Sequence, residues 1–69
     1  MSELRAQYEA EVNELHFGNG AFVRNGDIVL TLSVCKMLSG IQASNDGLIT
    51  YCCSTGDYVS EGQILARIE

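Results

Sequence analysis

Among the side chains able to act as nucleophiles, Lys36 stands apart, because it is the only lysine in 69 residues where average usage would supply several. Chance alone can produce a single lysine, so its meaning depends on where the fold places it. The thiols offer less. Cys35, Cys52 and Cys53 are odd in number, include an adjacent pair and form no C-x-x-C, which argues against both a disulfide framework and a zinc site. They are expected to be free thiols in a reducing cytosol. His16 is the only histidine and has no Asp or Cys at catalytic spacing, so it reads as a surface strand residue. The glycine-rich turns lack the following helix and the Lys or Thr that would complete a phosphate loop.

Bulk properties narrow the function classes. A chain of 69 residues supports one small domain, residues 1–69, with no cleft between domains, and points to a module that works with larger partners. Nine acidic against four basic residues give a net charge of −5, which repels nucleic-acid backbones and anionic membrane surfaces. No apolar run approaches the ~20 residues that span a bilayer, and Met1-Ser2-Glu3-Leu4-Arg5 lacks the basic and apolar regions of a signal peptide. A cytoplasmic protein is the simplest expectation.

The elements that must position Lys36 emerge from an internal repeat, which takes precedence over local patterns. Gly20, Phe22, Val23, Gly26, Ile28 and Leu32 recur 36 residues later as Gly56, Tyr58, Val59, Gly62, Ile64 and Ile68. Upstream, Leu4 to Gln7 and Ala10 to Val12 match Ile41 to Ser44 and Gly47 to Ile49 at a spacing of 37. The second copy has therefore lost one residue between Ile49 and Gly56. Each copy alternates glycine turns with short stretches rich in Val, Ile, Thr and aromatics. Strands are expected near residues 3–6, 11–17, 22–24, 28–34, 37–43, 48–53, 58–60 and 64–68. Within the sixth, Cys52 and Cys53 would face opposite ways, with one of them at most in the core. Two copies of four strands imply two antiparallel sheets related by a pseudo-twofold axis. A competing signal exists: Leu4, Tyr8, Val12 and Leu15 have helical spacing. The second copy decides for strands, because Asn45-Asp46-Gly47 interrupts the equivalent stretch with a turn.

In this frame Ser33-Val34-Cys35-Lys36-Met37-Leu38 joins the two copies as a hairpin with Lys36 at its tip. The run from Val23 to Leu30, the tip Cys35-Lys36-Met37, Ile41-Gln42-Ala43, Gly47, Gly56-Asp57 and Gly62 to Leu65 together resemble the biotin carboxyl carrier family, over nearly the whole chain. The resemblance implies a flattened β-barrel, a barrel-sandwich hybrid of two four-stranded sheets. It also implies biotin carried on the lysine of an A-M-K-M turn. Lys36 falls on that lysine, Met37 on the methionine after it and Val34 on the alanine. Cys35 replaces the methionine before the lysine, and Ser33 stands where many members carry a glutamate. Lipoyl relatives carry D-K-A at the tip, which is further from Cys35-Lys36-Met37, so biotin is favoured over lipoate.

The resemblance further implies that a biotin protein ligase reads Val34, Cys35 and Met37 while acylating Lys36, and that biotin carboxylase and carboxyltransferase components then use the arm. The domain itself would be no enzyme. Two alternatives remain from the residues: a lipoyl carrier, and an unmodified interaction or assembly module in which Lys36 stays free.

Overall fold

The computed structural model describes residues 2–69. It is all-β: β1 (Ser2–Arg5), β2 (Ala10–Leu15), β3 (Phe22–Val23), β4 (Ile28–Val34), β5 (Met37–Gln42), β6 (Gly47–Tyr51), β7 (Tyr58–Val59) and β8 (Ile64–Ile68). They form two four-stranded antiparallel sheets, ordered β1-β8-β6-β3 and β5-β4-β2-β7. Replacing each strand of the first order by its counterpart in the other copy yields the second order. Each sheet is therefore half first copy and half second copy, and neither copy can complete its core alone.

The repeat extends to register. Ser2, Glu3, Leu4 and Arg5 pair with Ile68, Arg67, Ala66 and Ile64; their counterparts Ser39, Gly40, Ile41 and Gln42 pair with Leu32, Thr31, Leu30 and Ile28. Both ladders break at the same place, which leaves Leu65 and Val29 as the extra residues of equivalent bulges. The bulges have a packing purpose. Strict alternation would send one of two neighbouring side chains outward, whereas Val29 and Leu30, like Leu65 and Ala66, are all fully buried. An extra residue in the ladder lets a pair of neighbours face the core.

The spacing change from 37 to 36 has a single structural origin. Val12 pairs with Leu32 and Glu14 with Thr31, leaving Asn13 out of the ladder, while Ile49 and Thr50 pair without interruption with Ile68 and Arg67. Asn13 is a bulge residue with no counterpart in the second copy.

Turns repeat as well. Gly26 N donates to Ala43 O (2.9 Å) and Ala43 N to Asp27 O (2.8 Å); Gly62 N donates to Ala6 O (2.7 Å) and Ala6 N to Gln63 O (2.9 Å). Gly26 and Gly62 take φ of 94° and 85°, values open to glycine at little cost.

The core is built from matched pairs, Val12 with Ile49, Val23 with Val59, Val29 with Leu65 and Leu32 with Ile68. One position trades volume between copies: Leu15 sits opposite Leu30, whereas Tyr51 sits opposite the small Ala66. The Tyr51 hydroxyl donates to Val29 O (2.6 Å) and accepts from Phe17 N (3.2 Å), so its polar end is satisfied inside the sandwich.

The helical spacing of Leu4, Tyr8, Val12 and Leu15 is not realised. Leu4 and Val12 are buried in opposite sheets, and Tyr8 is exposed in the connection between them. The sixth strand ends at Tyr51, short of the expected 53, and the second ends at Leu15. Past these points β8 and β4 offer only one further bond each, Cys52 N to Leu65 O (2.8 Å) and His16 N to Val29 O (3.0 Å). Cys52 and Cys53 thus lie in a bend, the first exposed and the second half-buried. His16 lies just beyond β2 and is exposed, with Nε2 2.7 Å from Thr31 Oγ1.

Two substitutions test this packing. Burial pushes the Tyr51 phenol above its ordinary value near 10.0, outweighing the opposing backbone bond from Phe17. An acid with a raised folded-state value contributes stability at lower pH that is lost as pH climbs past 10. Tyr51→Phe should cost about 1 kcal/mol at neutral pH and blunt the alkaline loss in denaturation curves. At Gly47, with φ of 155°, an added Cβ would meet the Glu69 carbonyl oxygen at 2.5 Å, where Glu69 and Leu48 exchange backbone bonds. Gly47→Ala should cost about 2 kcal/mol or more, measured by chemical denaturation.

Candidate functional site

The β4–β5 ladder runs without interruption from Leu30–Ile41 to Val34–Met37, so only Cys35 and Lys36 remain to reverse the chain. A two-residue connection between twisted strands favours the type I′ turn, in which both central residues take positive φ. The structure shows this: Cys35 has φ 48° and Lys36 φ 67°. Asn-Gly is the usual choice for such a turn. Here neither residue is glycine, and among the described residues these are the only non-glycine positions with positive φ. Each carries strain of order 1 kcal/mol or more. Backbone strain of this kind concentrates at functional sites.

The four tip residues are held unequally. Val34 closes β4 and packs half-buried against the core. Cys35 and Lys36 are exposed, and Met37 opens β5 with 73% of its surface exposed. The tip is therefore anchored from beneath by one apolar side chain and presents the other three to solvent. Cys35 is a free thiol, and no group of three or more metal-ligating side chains exists among the described residues. Cys53, by contrast, is half-buried, and its thiol is pushed up by burial, then by Asp57 and Cys52.

The tip lies at the opposite end of β4 from Ser2. Ser2 bonds to Ser44 and Asn45, beside the start of β4, while Lys36 lies past its other end, ~20 Å away along the strand. Nothing among the described residues covers the lysine, and a covalently attached arm could leave it freely.

Beneath the tip lies a groove that the sequence did not disclose. Its walls come from Glu9 and Glu11 at the start of β2, Ser33 and Val34 of β4, and Tyr58 of β7, with Lys36 at its edge. These residues are brought together by the ladders Glu11–Ser33 and Glu11–Tyr58. Their sequence separations hid them, and only the strand order in the sheet assembles them. Among the described residues no helix is long and apolar enough to cross a membrane.

Comparison with known proteins adds independent findings. The family model described as biotin-requiring enzyme, a biotin/lipoyl attachment domain, matches residues 2–68. Among solved structures, the chain resembles part of one described as a single-chain, multi-domain long-chain acyl-CoA carboxylase. The TM-score is 0.84 at 26% identity, over 93% of this chain and 7% of that one. None of the curated protein sequences matches it.

The strain at the tip is measurable. Cys35→Asn combined with Lys36→Gly should raise stability by about 1 kcal/mol or more, seen as a higher Tm. An unchanged or lower Tm would show that the positive φ values carry no cost.

Proposed function

The chain belongs to the biotin-requiring enzyme family, and on that premise we propose that residues 1–69 form one carrier domain whose Lys36 bears covalently attached biotin. The observation that carries the proposal is the strained, uncovered turn at Cys35-Lys36, which holds the only lysine of the chain at the far end of a rigid hairpin. Lys36 Nζ is the acylated atom, and Val34, Cys35 and Met37 are the surface that a biotin protein ligase reads. Amide formation releases a proton from the amine, and the ligase that delivers the activated acyl group takes it up. Once bound, biotin supplies a ureido nitrogen able to carry a carboxyl group between a biotin carboxylase and a carboxyltransferase.

The chain's own contribution is placement rather than catalysis. A tip fixed by five consecutive ladder pairs, from Leu30–Ile41 to Val34–Met37, has little backbone freedom left to lose when a partner engages it. Tethering raises the effective concentration of the arm at each partner site, into the mM range for short flexible links. The likeness to part of a carboxylase supports biotin over lipoate, as does the tip sequence. The acidic surface, −5 overall, argues for protein partners rather than nucleic acid or anionic membranes. A reducing cytoplasm suits three unpaired thiols.

Co-expression with a biotin ligase should add one biotinyl group, read as a single mass adduct and by streptavidin. Lys36→Arg should abolish the adduct with stability unchanged within ~0.5 kcal/mol. Cys35→Met should raise labelling if the native tip is incompletely modified, since recognition is a difference in affinities that one contact can shift. Were biotin and lipoate ligases both to leave Lys36 free in the native protein and in Cys35→Met, the carrier reading would give way to an unmodified interaction module.

A further inference from the structure

The groove beneath the tip has chemistry that presenting a lysine does not require. Ala10, Val34 and Val59 lie beneath it, with their side chains turned toward the core. Its rim carries the carboxylates of Glu9 and Glu11, the Ser33 hydroxyl and Tyr58, a residue 82% exposed. Tyr58 sits directly across from Glu11, and Glu11 across from Ser33. Those three positions form one row over three strands, ~10 Å from end to end. The row begins three residues from Lys36. None of the hydrogen bonds or ion pairs among the described residues uses the side chain of Glu9, Glu11, Ser33, Lys36 or Tyr58. The rim therefore offers acceptors and an aromatic face that no other described side chain engages, and Lys36 is the only cation lining the groove.

Acylation of Lys36 converts that cation to a neutral amide. The two carboxylates then face an arm rooted at the groove's edge. We propose that the groove is a resting dock for the end group of this arm and that it selects a cyclic urea. Urea N–H groups donate to the Glu9 and Glu11 carboxylates in charge-assisted bonds, while the fused apolar ring lies against Tyr58. A dithiolane has no N–H donor to give, and an arm ending in a carboxylate meets like charge. The dock rests on the reading of Lys36 as the attachment point. It goes further, because it assigns cofactor discrimination to residues outside the turn.

Chemical acylation separates this proposal from any ligase. With the α-amine first blocked by acetylation near neutral pH, where α-amines react ahead of lysines, Lys36 is acylated in parallel samples. The four groups are biotinoyl, lipoyl, a carboxylate-ended acyl chain of matched length, and acetyl. Two-dimensional NMR then compares the backbone amides. Biotinoyl should shift Glu11, Ser33 and Tyr58 beyond the acetyl control, whereas the lipoyl and carboxylate-ended arms should confine their shifts to Val34 through Met37. Tyr58→Ala, and separately Glu9→Gln with Glu11→Gln, should remove the remote biotinoyl shifts and leave those at the turn. Biotinoyl shifts confined to the turn would overturn the dock, and equal remote shifts from all long arms would overturn its selectivity. Remote shifts in a protein that no ligase labels would uphold the groove's chemistry while removing the carrier reading. Labelling without remote shifts would do the reverse.

Discussion

The β4–β5 ladder is where the two copies of the repeat are joined, and the requirement that it close in register over two residues shapes the rest of the molecule. Val34 pairs with Met37, so Cys35 and Lys36 have no choice but the left-handed region. A longer loop would relieve that strain but would let the lysine wander. The fold can impose the strained form because the ladder behind it is continuous and because Val34 is anchored in a core shared by both sheets. Strain of order 1 kcal/mol per residue is small beside the cost of breaking that ladder. The ladder thus holds the backbone of Lys36 in place at the end of the hairpin.

The interleaving of the copies reinforces this. Because β1 and β3 of the first copy lie in one sheet while β2 and β4 lie in the other, pulling any strand away exposes core residues from both copies. Long-range pairings dominate such a topology, and cooperativity follows from the absence of any separable half. A small domain buries only ~60% of its unfolded surface, so cooperative closure has to make up for modest size. The bulges at Val29 and Leu65 add to this by turning two consecutive side chains inward in each copy, gaining core that plain strands would leave in water.

Much of this was legible in the sequence, and the exceptions have physical reasons. The glycines at 20, 26, 56 and 62 all adopt positive φ, so their spacing revealed the repeat without any structure. The same repeat correctly overrode the helical spacing of Leu4, Tyr8, Val12 and Leu15, which arises because β1 and β2 each bury alternate residues and the connection between them happens to fill out the period. Strand ends at Leu15 and Tyr51 were not legible, since they depend on where the partner strands stop offering bonds. Asn13 could be inferred as a missing residue but not located, because a bulge is defined by the strand opposite. The tip was readable from Lys36 and its neighbours in the chain. The groove was not, because Glu9, Glu11, Ser33 and Tyr58 meet only through cross-strand pairing.

The repeat also supplies an internal control on which residues the fold needs. Counterparts that share a place in the sandwich are alike where packing demands it, as with Val12 and Ile49 or Val23 and Val59. On the outer faces they part. Glu11 corresponds to Leu48, Ser33 to Glu69 and Tyr58 to Phe22, with the same pairings in each copy, Glu11 to Tyr58 and Leu48 to Phe22. The fold therefore accepts an apolar pair as readily as a carboxylate beside a phenol at this place. Polar groups at the tip end are consequently not a structural necessity, and their position next to the lysine calls for a chemical explanation. At the opposite end, Leu48 and Phe22 stay 51% and 57% exposed, with Glu69 paired to Leu48 through the backbone. Two surfaces on equivalent strands thus differ in chemistry, and the polar one is the one that Lys36 borders.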